Sequence, residues 1–212
     1  MDAVSYVDVL NDLRRAYDAQ AATRDRSPLD PWKEPLRERF LGWLRAENRR
    51  SLVELGAGPG VHGRYFADAG IDVVCTDLSP AMVEACRAKG LQAMTADFLE
   101  LPARLPRPMD AVFAMNCLLH VPPADLPRVL EAVHDVLSPD GLFFLGQYGG
   151  INFQGIRAQD HYEPKRYFSF LPDAQLRVLA ETDFTVLEFH VVELPDAEDP
   201  GFHFQALTLR RQ

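Results

Sequence analysis

Cysteine is scarce in this 212-residue chain: Cys75, Cys86 and Cys117 are the whole complement, odd in number and without a CxxC pair. Such spacing builds neither a disulfide framework nor a four-cysteine zinc site, and it fits free thiols in a reducing compartment. Positive charge is short as well. Lys and Arg total 22 against 31 Asp and Glu, a formal net charge of −9, and no run of Lys or Arg exceeds two residues. A phosphate backbone is repelled by most of such a surface, so nucleic acid is not expected as a partner. No apolar run approaches the roughly 20 residues of a membrane span, and the N-terminus lacks an apolar signal core. No HxxxH or His/Cys cluster offers a metal site. The expectation is a cytoplasmic protein without metal or membrane, its oligomeric state open.

What is present is an orderly alternation. Tyr6, Leu10, Leu13 and Tyr17 recur at helical spacing, then charge and two prolines in "DAQAATRDRSPLDP" predict a loop or loose cover. Leu36, Phe40, Leu41 and Leu44 predict a second helix, and together residues 1–48 read as a helical cover. From Ser51 the chain alternates short apolar strands with helices. Ser79 is placed as an N-cap, with Pro80 in the first turn and Gly70 and Gly90 as terminators. "MDAVFAMN" is nearly all apolar, as a strand covered on both faces must be. "SPDG" turns the chain into a fifth strand, and residues 51–147 form the core. Residues 148–171 are long, aromatic and charged without clear period, too long for an idle connection. Residues 172–212 predict a helix and two strands joined by the acidic turn "PDAEDPG", necessarily an antiparallel hairpin. Strand–helix alternation implies a parallel sheet with right-handed crossovers, covered on both faces, in one domain.

The loop after the first strand, "ELGAGPGVHG", admits two readings. Gly58, Gly60 and Gly63 spell the GxGxxG dinucleotide fingerprint, with Asp77 further on for a ribose. Gly56, Gly58 and Gly60 behind Glu54 instead spell ExGxGxG. A pyrophosphate has no use for a carboxylate just before the glycines, whereas S-adenosylmethionine (SAM) carries an ammonium and a sulfonium. Asp97 can accept from an adenine amino group and Phe98 can cover the ring, with Leu78 and Met82 on its other face.

"ELGAGPG", "TDLSPAMVEAC", "ADFLELP", "DAVFAMNCLLHVP" and "LSPDGLFFLG" resemble, in order and spacing, the successive motifs of class I SAM-dependent methyltransferases, over roughly Leu52 to Gly146. The resemblance implies a Rossmann-like α/β fold, a seven-stranded mostly parallel sheet with a C-terminal antiparallel hairpin. It implies S-adenosyl-L-methionine as cofactor, with Glu54, Gly56, Gly58 and Gly60 around the methionine part and Asp77 at the ribose. Leu78, Met82, Asp97 and Phe98 would form the adenine pocket, with Asn116 and Cys117 beside the methionine end. Tyr17 and Arg24 fall in a segment resembling a cofactor-covering helix, where Arg24 would pair with the cofactor carboxylate.

Methyl transfer is an in-line displacement, for which the protein supplies alignment, water exclusion and, for some acceptors, a base. His120, after the fourth strand, and His161, in the 148–171 segment, are the candidate bases. His62 reads as a helix surface residue. Tyr148, Tyr162, Tyr167, Phe168 and Phe170 build either an acceptor pocket or a mini-core holding that segment. Arg157, Lys165 and Arg166 either grip an acidic acceptor or lie solvated. Transfer to an oxygen or nitrogen of a small molecule is the leading expectation. A nicotinamide-dependent oxidoreductase and a SAM-binding, non-catalytic partner are the alternatives.

Overall fold

The computed structural model describes residues 4–212 apart from 106, 195, 196 and 198. The chain begins with α1 (Tyr6–Arg26) and α2 (Glu34–Ala46), then runs β1 (Ser51–Leu55), α3 (Val61–Asp68), β2 (Asp72–Asp77), α4 (Pro80–Ala88) and β3 (Gln92–Thr95). A short α5 (Leu101–Arg104) leads to β4 (Met109–Met115), α6 (Leu126–Val136) and β5 (Leu137–Gly149). The small strands β6 (Phe153–Ile156) and β7 (Tyr167–Phe170) precede α7 (Asp173–Ala180), β8 (Phe184–Glu193) and β9 (His203–Arg211).

Seven strands make one sheet in the order β3-β2-β1-β4-β5-β9-β8. The first five are parallel, while β9 enters antiparallel between β5 and β8. Strand order reverses between β1 and β4, and the crevice beyond the carboxyl ends of those two strands is where ligands bind in open α/β sheets. Both faces are covered. Val9 and Leu13 of α1 pack with Val129 and Val133 of α6 and Leu176 of α7 on one side. Phe40 of α2, Phe66 of α3 and Phe113 and Phe144 of the sheet form an aromatic layer on the other. Phe40, Phe66 and Phe113 are fully buried, each contributing roughly 1.5–3 kcal/mol relative to exposure.

Two elements differ from the sequence reading. Helix α1 continues through Asp18 to Arg26, where charge and prolines predicted a loop. The residues between Ala19 and Ala22 are good helix formers, and the prolines begin only at Pro28. Side-chain contacts fasten this polar half: Asp18 accepts from the Ser79 hydroxyl (2.5 Å) and the Ala81 N–H (3.2 Å), and Lys89 reaches Asp25. The segment read as aperiodic holds β6 and β7, a separate antiparallel pair. Gly70 and Gly90 follow their helices with positive φ, and Ser79 caps α4 through the Met82 N–H. The Ser-Pro-Asp-Gly turn lies within the long β5, with Asp140 at φ 59°. Three residues of the acidic turn before β9 (195, 196 and 198) lie outside the described residues.

Candidate active site

A cavity of about 620 Å³, its open mouth included, lies at the sheet's switch point, under α1. The turn after β1 forms its floor. Gly56 and Gly58 have φ of 57° and 54°, backbone that L side chains adopt only at a cost. A Cβ on Gly56 would stand 2.4 Å from the Cys117 Cβ, whereas one on Gly58 would meet nothing within 4 Å and would occupy the cavity itself. Asp77, at the end of β2, is buried and holds this turn: its carboxylate accepts from the Gly58 N–H (2.8 Å) and the Ser79 N–H (2.9 Å). Burial raises the Asp77 carboxyl above the usual carboxylate range, against the opposing pull of those two N–H groups.

Leu78, Asp97 and Phe98 line the same cavity. Asp97 accepts from the Leu99 N–H (2.7 Å) in a capping box with Glu100, which fixes its side chain. The Phe98 ring stacks on Tyr6 of α1, centroids 6.1 Å apart. Asn116 and Cys117 complete the wall after β4. Asn116 is held at φ 59°, and its Oδ1 is buried without a partner among the described residues. A strained backbone carrying an unsatisfied polar atom marks a place that expects a ligand. Tyr6 and Leu13, which helical spacing puts on one face with Tyr17, also line the cavity with Tyr17 and Arg24. The signal was there, because one helix face carries them all.

Three expected ligand-binding residues stand away from the cavity wall. Glu54 lies behind the glycine turn, fully buried, with the Cys75 thiol 3.5 Å away; burial holds its carboxyl well above the usual range. So enclosed, its carboxylate lies behind the loop and off the cavity wall. Gly60 begins α3 against Cys86 and Leu91, and Met82 is fully buried in α4. Gly63 answers a packing need: a Cβ there would stand 2.5 Å from the Cys75 sulfur and 2.7 Å from Glu54. Two cysteines abut the turn itself: Cys86 donates to the Gly58 carbonyl (3.2 Å) and Cys117 backs Gly56, while Cys75 lies behind it between Glu54 and Gly63.

A polar network roofs the cavity. His120 is buried, its Nδ1 2.7 Å from the Tyr167 carbonyl and its Nε2 2.7 Å from the Tyr17 hydroxyl. A carbonyl only accepts, so Nδ1 carries the proton and Nε2 accepts from Tyr17. Burial pushes the imidazole pKa down to about 3, with Arg166 and Arg24 adding to the shift and the Tyr167 carbonyl opposing it. His120, expected as a base, thus has both nitrogens engaged, one by the Tyr17 hydroxyl, and sits beside Arg166 and Arg24. Arg166 donates from Nη1 to the Tyr17 oxygen (3.1 Å), forks onto the buried Asp160 (2.6 and 3.2 Å), and lies 3.6 Å from the Tyr162 ring centroid. Arg24 reaches the Tyr162 hydroxyl (3.1 Å). Burial keeps the Tyr17 phenol protonated, outweighing the two arginines.

A second cavity, about 1130 Å³ including its open mouth, adjoins the first across Gly56, Gly58, Met115, Asn116 and Arg24. Lys33, Arg166, Tyr162 and the exposed His161 line it. His62 lines it too, where a helix surface position was expected; its Nδ1 is buried without a partner and its ring packs on Phe113. Of the aromatics in the segment, Tyr162 alone lines this cavity, while Tyr167 and Phe170 are buried and Phe168 packs on His120. Arg157 pairs with Asp199 and Lys165 with the Ala158 carbonyl, so Arg166 is the one cation of that trio on the wall.

A protein-family model described as a methyltransferase domain matches residues 52–141. An uncharacterized methyltransferase of Oceanobacillus iheyensis is 22% identical over 143 residues, 66% of this chain and 66% of that protein. Trans-aconitate 2-methyltransferase of Mycobacterium tuberculosis is 33% identical over 139 residues, 62% of this chain and 50% of that one. The chain thus spans half to two thirds of the length of these curated relatives. Among solved structures, the Burkholderia thailandensis 1,6-didemethyltoxoflavin-N1-methyltransferase, with bound 1,6-didemethyltoxoflavin and S-adenosylhomocysteine, superposes with a TM-score of 0.75 at 21% identity, covering 100% of this chain and 92% of that one.

Proposed function

We propose that this chain is a class I SAM-dependent methyltransferase that transfers a methyl group to an oxygen or nitrogen of a small molecule seated in the second cavity. One observation carries the reading: the two cavities share a wall at Gly56, Gly58 and Asn116, so a donor in the first faces an acceptor in the second. SAM is the cofactor, and bound in the first cavity it supplies an electrophilic methyl on a sulfonium.

The residues present fit it. Gly58 leaves open the space a side chain would fill, and the unpartnered Oδ1 of Asn116 offers an acceptor to an ammonium. Arg24, on the border of both cavities, is placed for a carboxylate, Asp77 for ribose hydroxyls, and Asp97 with Leu78 and Phe98 for adenine. Tyr17 and Cys117 close the methionine end. His120, Tyr17 and Arg166 then act as one unit that fixes the roof and excludes water. His161, at the second cavity, is the remaining candidate for moving an acceptor proton.

Isothermal titration with SAM, S-adenosylhomocysteine, NADH and NADPH tests the assignment. Binding of the first two alone supports it; binding of a nicotinamide nucleotide instead would overturn it.

A further inference from the structure

The second cavity is positively biased in a chain of formal net charge −9. Of the charged side chains on its wall, Arg24, Lys33 and Arg166 are cations and Asp30 alone is an acid; Arg166 is balanced by the buried Asp160 behind it, so Arg24 and Lys33 carry the bias. Lys33 pairs with Asp30 at 2.7 Å, but its side chain is 13% exposed and that of Asp30 is 52% exposed, so the acid can turn to water while the cation stays. Arg24 has no carboxylate within 4.0 Å among the described residues. The field reaches His62 as well: besides burial, Arg37 and Lys33 hold its imidazole down at about 3. Proton acceptance is correspondingly poor in the roof, where His120 has both nitrogens engaged and Tyr17 donates to it.

Arg24 and Lys33 on the wall, beside a roof that takes up no proton, suit an acceptor already anionic and already nucleophilic, one that makes no demand on the exposed His161. We propose that the acceptor is an organic acid, methylated on a carboxylate oxygen and held in the second cavity through Lys33. This rests on the methyltransferase reading above. A lone pair of the carboxylate oxygen forms the O–CH₃ bond as the S–CH₃ bond breaks and its electron pair passes to sulfur. Sulfonium and carboxylate become thioether and ester, and no proton is released. Loss of both charges is favoured in a partly desolvated site. Arg24 has five N–H donors, enough for the cofactor's carboxylate on one side and the acceptor on the other.

The test uses the whole chain, methyl-labelled SAM, and succinate, citrate and trans-aconitate beside their amides, a phenol and a primary amine. The expected product is base-labile, releasing labelled methanol on mild alkali. Lys33→Met should raise KM for the acid by roughly tenfold or more, with S-adenosylhomocysteine affinity unchanged, and Lys33→Arg should restore KM. Silence of every acid, label in a base-stable product, or an unaltered KM in Lys33→Met overturns the carboxylate assignment. The methyltransferase reading fails separately, by loss of S-adenosylhomocysteine binding.

Discussion

Gly56 and Gly58 share a left-handed backbone and differ in what stands beside them. Alanine at either position costs about 1–2 kcal/mol for the conformation alone. At Gly56 the methyl also drives into the Cys117 side chain, so Gly56→Ala should destabilise further, lowering the midpoint of urea unfolding. At Gly58 it meets no atom, so Gly58→Ala should fold with a modest loss and bind S-adenosylhomocysteine at least roughly tenfold more weakly, measured by titration. Equal affinity would mean that the turn does not face the cofactor. Tyr17→Phe leaves the buried His120 Nε2 and the Arg166 Nη1 short of a partner; a loss of about 1–3 kcal/mol is expected by denaturation. At this scale the sequence was partly legible. Asp77, Asp97 and Asn116 reach the cavity wall because they follow strand ends, which alternation locates. Glu54 and Met82 do not, since a one-dimensional string does not say which way a buried side chain points. His62 was hidden for the same reason.

Helix α1 is held at both ends by polar groups. Its first turn donates the Tyr6 N–H to Asp125 (2.8 Å), and its far half is fastened through Asp18, Arg24 and Asp25. Asp18→Ala removes the acceptor for Ser79 and Ala81 and leaves the Tyr6–Leu13 packing intact. It should speed dissociation of S-adenosylhomocysteine in stopped flow and expose Arg24 and Arg26 to trypsin, while thermal unfolding of the sheet barely moves. Unchanged rates would show that the far half of α1 does not gate the cavity. The sequence reading missed this half because its fastening residues are polar and distant in the chain, and hydrophobic period carries no trace of them. The parallel strands were legible for the opposite reason: "MDAVFAMN" and its neighbours are apolar throughout because both faces are covered.

Across the whole molecule, acid stability is set by groups that burial keeps neutral. His120 has a folded pKa of about 3 against about 6.5 when unfolded, a depressed base. Between those values the unfolded chain binds the proton and the folded one does not, so stability falls as pH drops below about 6.5, by about 1.4 kcal/mol per pH unit for a single such group. His62 adds to the same slope. Glu54 and Asp77 run the other way: their raised pKa values favour the fold at low pH, an advantage lost as pH rises above the unfolded carboxylate value near 4. The two pairs oppose each other between neutrality and pH 5, so the single contribution is read by difference: His120→Gln removes one destabilising proton uptake, and its urea midpoint should fall less, or rise more, toward pH 5 than that of the parent. An equal slope in the variant would mean that His120 is charged in the fold. The charge balance that argued against nucleic acid describes the outer surface, and it conceals the cationic wall inside, which only the fold assembles from residues as distant as Lys33 and Arg166.

The placement of Cys86 against the glycine turn gives the protein a reporter of its own. A thiol reagent reaches the fully buried Cys86 only in the moments when that turn lifts away, whereas Cys117, on the cavity wall, is covered by whatever fills the cavity. The rate of colour release from such a reagent thus counts openings of the cofactor loop without any introduced label. A ligand that bars opening slows the reaction by the factor 1 + [L]/Kd, so thiol chemistry alone can yield the affinity of whatever fills the cavity.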